Sequence, residues 1–132
     1  MVMPIINKID LIYPDLSYKI IGAVFDVYNT LGYGYKELYY QKAVAESLRL
    51  KHLNFIEQPG FNLKYGDKIL GRKRLDFIIE NKIVLELKKG GYFSRSNIEQ
   101  IYDYLKITGL KLALLVNFTA KGVIFKRIVN LK

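Results

Sequence analysis

The sequence contains no cysteine, which excludes a disulfide framework, a thiolate metal site and a thiol nucleophile. His52 is its one histidine, so a metal site built from several histidines is excluded as well. The longest apolar runs, such as Leu112 to Val116, are far shorter than the roughly 20 residues of a membrane-spanning helix. The first residues lack the basic stretch followed by a long apolar stretch of a secretory signal. We therefore expect a soluble protein of the reducing cytoplasm.

Negative charge is scarce, because 12 Asp and Glu stand against 21 Lys and Arg and leave a formal net charge of +9. A small basic domain attracts polyanions, and nucleic acid is the commonest of these. A generally basic, soluble surface is the alternative interpretation of the same charge. The 132 residues show no internal repeat and no flexible linker, which predicts a single domain over residues 1–132.

Hydrophobic periodicity predicts three helices and a larger number of strands. Helices are expected over residues 15–31, about 36–53, and 96–108, where Ser96 and Glu99 have capping-box spacing. Short strands are expected over 55–58 and 61–65, and longer ones over 112–118 and 123–129, with a hairpin between the two groups. This order predicts an α/β (α+β) layered domain.

The predicted hairpin carries charged residues, and the pairing register of its two strands decides whether these residues lie together. The odd-numbered residues from Leu75 to Leu87 are apolar outside the turn, which predicts one buried face. That pattern selects a loop of three residues, Glu80 to Lys82, with Asn81 as a left-handed residue, because a shorter loop would scatter the apolar set. Asp76 and Glu86 should then lie opposite each other.

Two facing carboxylates and a nearby lysine suit metal-dependent phosphoryl chemistry. Mg²⁺ prefers octahedral oxygen ligands, so Asp76 and Glu86 could hold it, with the Leu87 carbonyl as a further ligand. Such an ion polarises a phosphoryl oxygen and lowers the pKa of a bound water. Lys88 could orient that water or offset charge that grows on the phosphate. The alternative is an amphipathic hairpin whose charged face meets solvent.

Glu37 is a further candidate for the same site. It precedes Tyr40, Val44 and Leu48 at helical spacing, so it is expected on the apolar stripe of the second helix. A carboxylate that points toward a core needs a cation or hydrogen bonds, and a shared metal would provide the cation. The alternative is an early-turn glutamate that the helix dipole stabilises.

The segment "LGYGYKELYY" contains Gly34-x-x-Glu37-x-x-Tyr40 and resembles the signature of the GxxExxY proteins. The resemblance continues through "RLDFIIENKIVLELK" and "EQIYDYLKITGLKLALLVNF", in family order. It implies the PD-(D/E)XK nuclease-like superfamily and its restriction-endonuclease-like core, a mixed β-sheet flanked by helices. Leu75 departs from that pattern, because it stands where the motif name has proline.

The resemblance also implies roles for individual residues. Glu37 matches the acid of the first helix of the motif set, Asp76 the aspartate of the first motif, and Glu86 with Lys88 the E-x-K. Gln100 and Tyr104 resemble a Q-x-x-x-Y element beside the catalytic site; without the resemblance, they would be interpreted as a polar pair on the outer face of a helix.

These observations predict Mg²⁺-dependent (or Mn²⁺-dependent) hydrolysis of nucleic-acid phosphodiesters, with DNA expected as the partner rather than RNA. A homodimer would suit the cutting of both strands of a duplex. The alternatives are a non-catalytic nucleic-acid-binding or regulatory protein that keeps the fold, and a structural domain without such a role. A basic rim is expected to contact phosphates, with a merely solvated rim as its alternative: Arg72, Lys73, Arg74, Lys89 and Arg95.

Overall fold

The computed structural model describes residues 12–131. The opening segment, for which no secretory signal is predicted, lies outside these residues. The helices are α1 (Pro14–Leu31), α2 (Glu37–Leu50) and α3 (Arg95–Thr108). The strands are β1 (Phe55–Glu57), β2 (Gly60–Tyr65), β3 (Lys68–Arg74), β4 (Phe77–Ile79), β5 (Ile83–Lys89), β6 (Leu112–Thr119) and β7 (Gly122–Val129). No helix in the described range combines the length and the apolarity needed to cross a lipid bilayer.

The main sheet has five strands in the order β1-β4-β5-β6-β7, and β2 pairs with β3 in a separate two-stranded ribbon. Most neighbours are antiparallel, but β5 and β6 are parallel. A parallel pair needs a long crossover, and α3 supplies it between these two strands. The prediction of a mixed sheet flanked by helices is therefore confirmed.

The core lies on both faces of this sheet. On one face α1 and α2 bury residues such as Val24 and Val44 against Leu85 of β5. On the other face α3 buries Ile101 against Val84 and its neighbours. Residues 112–118 of β6 are buried throughout, because they alternate between these two clusters. The continuous apolar run in the sequence reflects this double coverage.

The hairpin between β4 and β5 has the predicted register. Ile79 pairs with Ile83, and the Lys82 N–H donates to the Ile79 carbonyl across the loop at 3.0 Å. Asn81 is left-handed as predicted, with φ 55°, but Glu80 is left-handed too, with φ 53°. The Glu80 carboxylate accepts from the Asn54 backbone N–H at 3.3 Å, which ties the loop to the residue before β1.

Several helix boundaries differ from the prediction by one to three residues, and two of these differences have a clear cause in the structure. α2 ends at Leu50 rather than near Leu53, because His52 turns left-handed with φ 58° and the Leu53 N–H bonds back to the Leu48 carbonyl. α3 begins at Arg95 rather than Ser96, because Ser94 is the cap and its Oγ accepts from the Asn97 N–H at 3.0 Å.

In the structure the Ser96–Glu99 capping box is therefore replaced by the Ser94 cap. Glu99 pairs instead with Arg95 one turn earlier, at 3.4 Å. This exposed ion pair contributes little to stability.

Leu75 does not share the buried face of the other odd-numbered hairpin residues. It packs in the α3-side cluster with Ile78 and Val84, whereas Phe77 lies in the α1–α2 cluster. The cause is a bend at Asp76, which interrupts the strand between β3 and β4. Side chains alternate only while a strand continues, so the bend reverses the alternation that the sequence predicted.

The loop before α2 is anchored by Tyr40, whose side chain is fully buried. Its ring stacks on Phe118 with centroids 4.3 Å apart, and its hydroxyl donates to the Gly32 carbonyl at 2.6 Å. Gly32 ends α1 with φ 69°, a conformation that favours glycine. Tyr40 thus joins the end of α1 and the start of α2 to the sheet.

We predict that Tyr40→Phe lowers the free energy of unfolding by about 1–2 kcal/mol, because the ring stack remains while the Gly32 carbonyl loses its donor. Urea denaturation followed by circular dichroism measures the change. Tyr39→Phe is the matched control, since Tyr39 is 51% exposed and should change stability by less than about 0.5 kcal/mol. Equal effects of the two substitutions would contradict the anchoring role.

Candidate active site

Asp76 and Glu86 face each other through reciprocal hydrogen bonds, as their predicted register requires. The Asp76 backbone N–H donates to Oε1 of Glu86 at 2.6 Å, and the Leu87 N–H donates to Oδ2 of Asp76 at 2.8 Å. Each carboxylate is therefore held by the backbone of the other segment. Oε2 of Glu86 accepts no hydrogen bond from the described part of the chain, and Oδ1 of Asp76 accepts only a long one from Gln58. One oxygen of each acid is left for a ligand.

The two acids are strongly desolvated. Burial raises the pKa of Glu86 to about 8, and the charge of Asp76 adds to this shift. Burial also raises the pKa of Asp76, with a further contribution from the charge of Glu37, while the Leu87 N–H opposes the shift. Like charges held close together in a low dielectric cannot both ionise cheaply. A cation bound between the two carboxylates would lower both pKa values again.

Glu37 begins α2 and lies near the pair, since its charge raises the pKa of both acids. Its side chain is exposed, whereas Tyr40 and Val44 of the same helix are buried. Of the two sequence interpretations, the early-turn glutamate agrees with the structure and the core-facing one was wrong, because Glu37 is the first residue of α2 and its side chain is exposed. Across residues 12–131, no three Asp, Glu or His side chains converge closely enough to hold a metal ion together.

Leu87 and Lys88 follow Glu86 along β5. The Leu87 side chain is buried in the α1–α2 cluster, and its N–H is used by Asp76. Lys88 lies on the same face of the strand as Glu86 and is half-buried. Its ammonium group forms no ion pair with an acid of the described residues. Lys88 is therefore beside the carboxylates without neutralising either of them.

Gln58 belongs to the site although sequence reasoning did not select it. It has φ 52°, a left-handed conformation that costs energy for a residue with a side chain. Its backbone N–H donates to the Asp76 carbonyl at 2.9 Å, and its amide Nε2 lies 3.5 Å from Oδ1 of Asp76. Both contacts orient Asp76. The sequence carries no local signal for this role, because the residue before a proline ordinarily prefers an extended backbone and Gln58 is left-handed instead.

Gln100 and Tyr104 lie on α3, toward the base of the β2–β3 ribbon. The buried ring of Tyr104 packs edge-on against Phe61 at 4.8 Å, and burial raises the pKa of its hydroxyl. Gln100 lines a cavity of about 180 Å³ together with Phe61 and Lys73. Neither residue hydrogen-bonds to Asp76 or Glu86 in the structure. The structure thus places Gln100 and Tyr104 beside the β2–β3 ribbon rather than in contact with Asp76 and Glu86.

The five basic residues predicted to form one rim lie on three elements, β3, β5 and α3, and do not form a single rim. Arg72 and Arg74 are exposed on β3, and Lys73 between them points to the opposite face, into the cavity beside Gln100. The Lys89 ammonium lies 5.5 Å from the centre of the Tyr33 ring. Arg95 is exposed and pairs with Glu99 on α3. Of the set, Arg74 is nearest to Asp76 along the chain.

A mixed sheet between helices, with a carboxylate pair on its central hairpin, defines the restriction-endonuclease-like fold. A family profile for the PD-(D/E)XK nuclease superfamily matches residues 14–128, and the chain belongs to this superfamily. The crystal structure of SSO0001 has a similar fold, with a TM-score of 0.50 and 16% sequence identity over 88% of this chain and 78% of that chain. Comparison with curated proteins finds no match.

We predict that Glu86→Gln reduces the loss of stability that the metal-free protein shows as pH rises. A folded pKa of about 8 against an ordinary 4.5 means that the stabilisation is present below about pH 4.5 and is lost as pH rises through 8. Glutamine is neutral throughout, so the variant should lose less stability between pH 5 and pH 8.5, by on the order of a few kcal/mol.

Urea denaturation in EDTA at several pH values measures this difference. Glu57→Gln is the matched control, because Glu57 is exposed and should keep the wild-type dependence. The same pH dependence in wild type and Glu86→Gln would show that Glu86 titrates normally.

Proposed function

We propose that the protein is a Mg²⁺-dependent (or Mn²⁺-dependent) nuclease of the GxxExxY branch, which hydrolyses phosphodiester bonds in nucleic acid in the cytoplasm. The observation that carries the proposal is the Asp76–Glu86 pair. Two desolvated carboxylates are held face to face by backbone hydrogen bonds, and each keeps an oxygen for a ligand. Membership of the nuclease superfamily and a net charge of +9 support a polyanionic substrate.

The donor set fits a hard divalent cation. Oδ1 of Asp76 and Oε2 of Glu86 would hold it, and water and phosphate oxygens would complete the coordination that Mg²⁺ prefers. When bound, the ion supplies Lewis acidity toward the phosphoryl oxygen and acidifies water. Glu37 adds negative charge at the rim of the site, where it would act on the ion through water.

The remaining residues act on water and on phosphate. Lys88 is free of ion pairs within residues 12–131, so its ammonium would orient the attacking water and offset the charge that grows on phosphorus. Gln58 would hold Asp76 in its ligand orientation. Gln100 and Tyr104 would support the base of the ribbon, Tyr104 through its contact with Phe61. Hydrolysis consumes one water, forms a P–O bond to the water oxygen, breaks the P–O bond to the leaving sugar oxygen and transfers a proton of the water to that oxygen.

A second candidate function is nucleic-acid binding without catalysis. It is favoured by the position of Glu37, which does not converge with the acid pair into a group of three metal ligands within the described residues. A site of two carboxylates holds metal more weakly than one of three. Both candidates require binding to polyanions, and they differ in their need for a divalent cation.

We predict that wild type cleaves at least one nucleic acid in Mg²⁺ or Mn²⁺, and that Asp76→Asn and Glu86→Gln each lower the rate by about a hundredfold or more. The substrates are labelled duplex, single-stranded and branched DNA and RNA, with EDTA as the metal-free reaction. Asp15→Asn is the matched control, since Asp15 is exposed at the start of α1. Cleavage that survives both site substitutions would indicate a contaminating nuclease or a different site.

Metal binding is tested separately from cleavage. We predict that millimolar Mg²⁺ raises the melting temperature of wild type at pH 8, because it binds the folded state only. The same concentration should leave the melting temperature of Asp76→Asn unchanged. A metal response without cleavage of any substrate would favour the non-catalytic candidate. Equal responses of the two proteins would show that the cation binds elsewhere.

A further inference from the structure

The β2–β3 ribbon projects from the main sheet as an exposed two-stranded arm. Residues 62–70 are all exposed, and the strands pair with each other alone in the described chain. Tyr65 at the tip is 80% exposed, and Leu70, which the register shift leaves without a paired residue on β2, is 56% exposed. Large apolar side chains exposed on a protruding ribbon indicate a binding surface.

The ribbon carries much of the positive charge of the protein. Residues 60–74 contain five basic residues against a single acid, Asp67, which is +4 of the net +9. Arg72 and Arg74 lie on the face that points away from α3, and their strand partners are Asn62 and Gly60. Neither partner is charged or large, so this face is open to a polyanion.

The base of the ribbon is joined to the acid pair. β1–β4 and β2–β3 share one antiparallel register, since Glu57 pairs with Phe77 and Gly60 with Arg74. Between them, the Gln58 N–H donates to the Asp76 carbonyl at 2.9 Å and the Leu75 N–H to the Pro59 carbonyl at 3.0 Å. The two strand pairs are thus one long ribbon, bent at Asp76. A nucleic acid held by the arm would lie next to the carboxylates.

The dimensions of the arm suit one kind of groove. From Asn62 to Tyr65 it extends about 10 Å at 3.3 Å per residue, similar to the depth of about 8.5 Å of the B-DNA major groove. That groove, about 12 Å wide, admits a two-stranded ribbon, whereas the major groove of A-form RNA is too narrow for side chains to read. The register shift between Leu63 and Lys64 increases the twist of the arm, which suits a helical groove.

We infer that the β2–β3 ribbon enters the major groove of duplex DNA and presents the adjacent phosphodiester to the Asp76–Glu86 pair. Arg72 and Arg74 contact phosphates at the rim of the groove, and Lys64, Tyr65 and Lys68 occupy its floor. The inference rests on the proposed function, because it names the substrate class of the same site.

The first test measures binding in EDTA, where no cleavage intervenes. Fluorescence anisotropy is recorded with a labelled DNA duplex of two helical turns, about 20 base pairs, and with an RNA duplex of the same sequence. We expect the DNA duplex to bind at least about tenfold more tightly at equal salt. A DNA duplex with glucosylated hydroxymethylcytosine, whose sugars fill the major groove, should also bind at least about tenfold more weakly.

The second test assigns the binding to the ribbon. The double substitution Arg72→Gln/Arg74→Gln should reduce the slope of the logarithm of the binding constant against the logarithm of the salt concentration by about 1.8. Each lost phosphate contact accounts for about 0.9 of this change. Lys19→Gln/Lys126→Gln is the charge-matched control, because both lysines are exposed on other elements and the slope should not change. Circular dichroism confirms that both variants fold.

The outcomes separate this inference from the nuclease proposal. Equal binding of DNA and RNA duplexes, or equal slopes for the ribbon variant and its control, would overturn the groove assignment even if metal-dependent cleavage is observed. Ribbon-dependent binding of duplex DNA without cleavage in any metal would support the groove assignment and overturn the nuclease. No saturable binding of any nucleic acid at physiological salt would overturn both.

Discussion

Two backbone hydrogen bonds hold a pair of like charges together, and the candidate site depends on them. The N–H of Asp76 reaches Glu86, and the N–H of Leu87 reaches Asp76, so neither carboxylate can turn away without losing a partner. An unpaired acid at this position would move toward water. The hydrogen bonds instead keep both acids in a desolvated position, where a proton or a cation must balance their charge.

The layered fold creates the low dielectric that gives the pair its chemistry. β5 lies in the middle of the sheet, with α1 and α2 on one face and α3 on the other. This double coverage buries Val84 and Leu85 just before Glu86, and it raises the pKa of Glu86 above the ordinary range of a carboxyl group. Because β5 is packed on both faces, the positions of Glu86 and Lys88 are set by the core rather than by a loop.

The bend at Asp76 links the site to the arm beside it. A continuous strand would have left the Asp76 side chain pointing directly away from the buried face and the ribbon in line with the sheet. The left-handed Gln58, opposite the bend, redirects both. Local strain at Gln58 is compensated by the hydrogen bonds on either side of the bend. The bend therefore orients Asp76, a candidate metal ligand, and also sets the direction of the basic β2–β3 ribbon.

Much of this arrangement is readable from residue order, because periodicity records which side chains a local element must bury. The alternation of apolar residues on either side of the Glu80–Lys82 loop was enough to place Asp76 opposite Glu86. The continuous apolar run of β6 was enough to predict a strand covered on both sides. The reversal at Leu75 and the contacts of Gln58 with Asp76 were not readable. These depend on contacts between segments far apart in the chain, where a bend or a helix end meets a partner that no local pattern encodes.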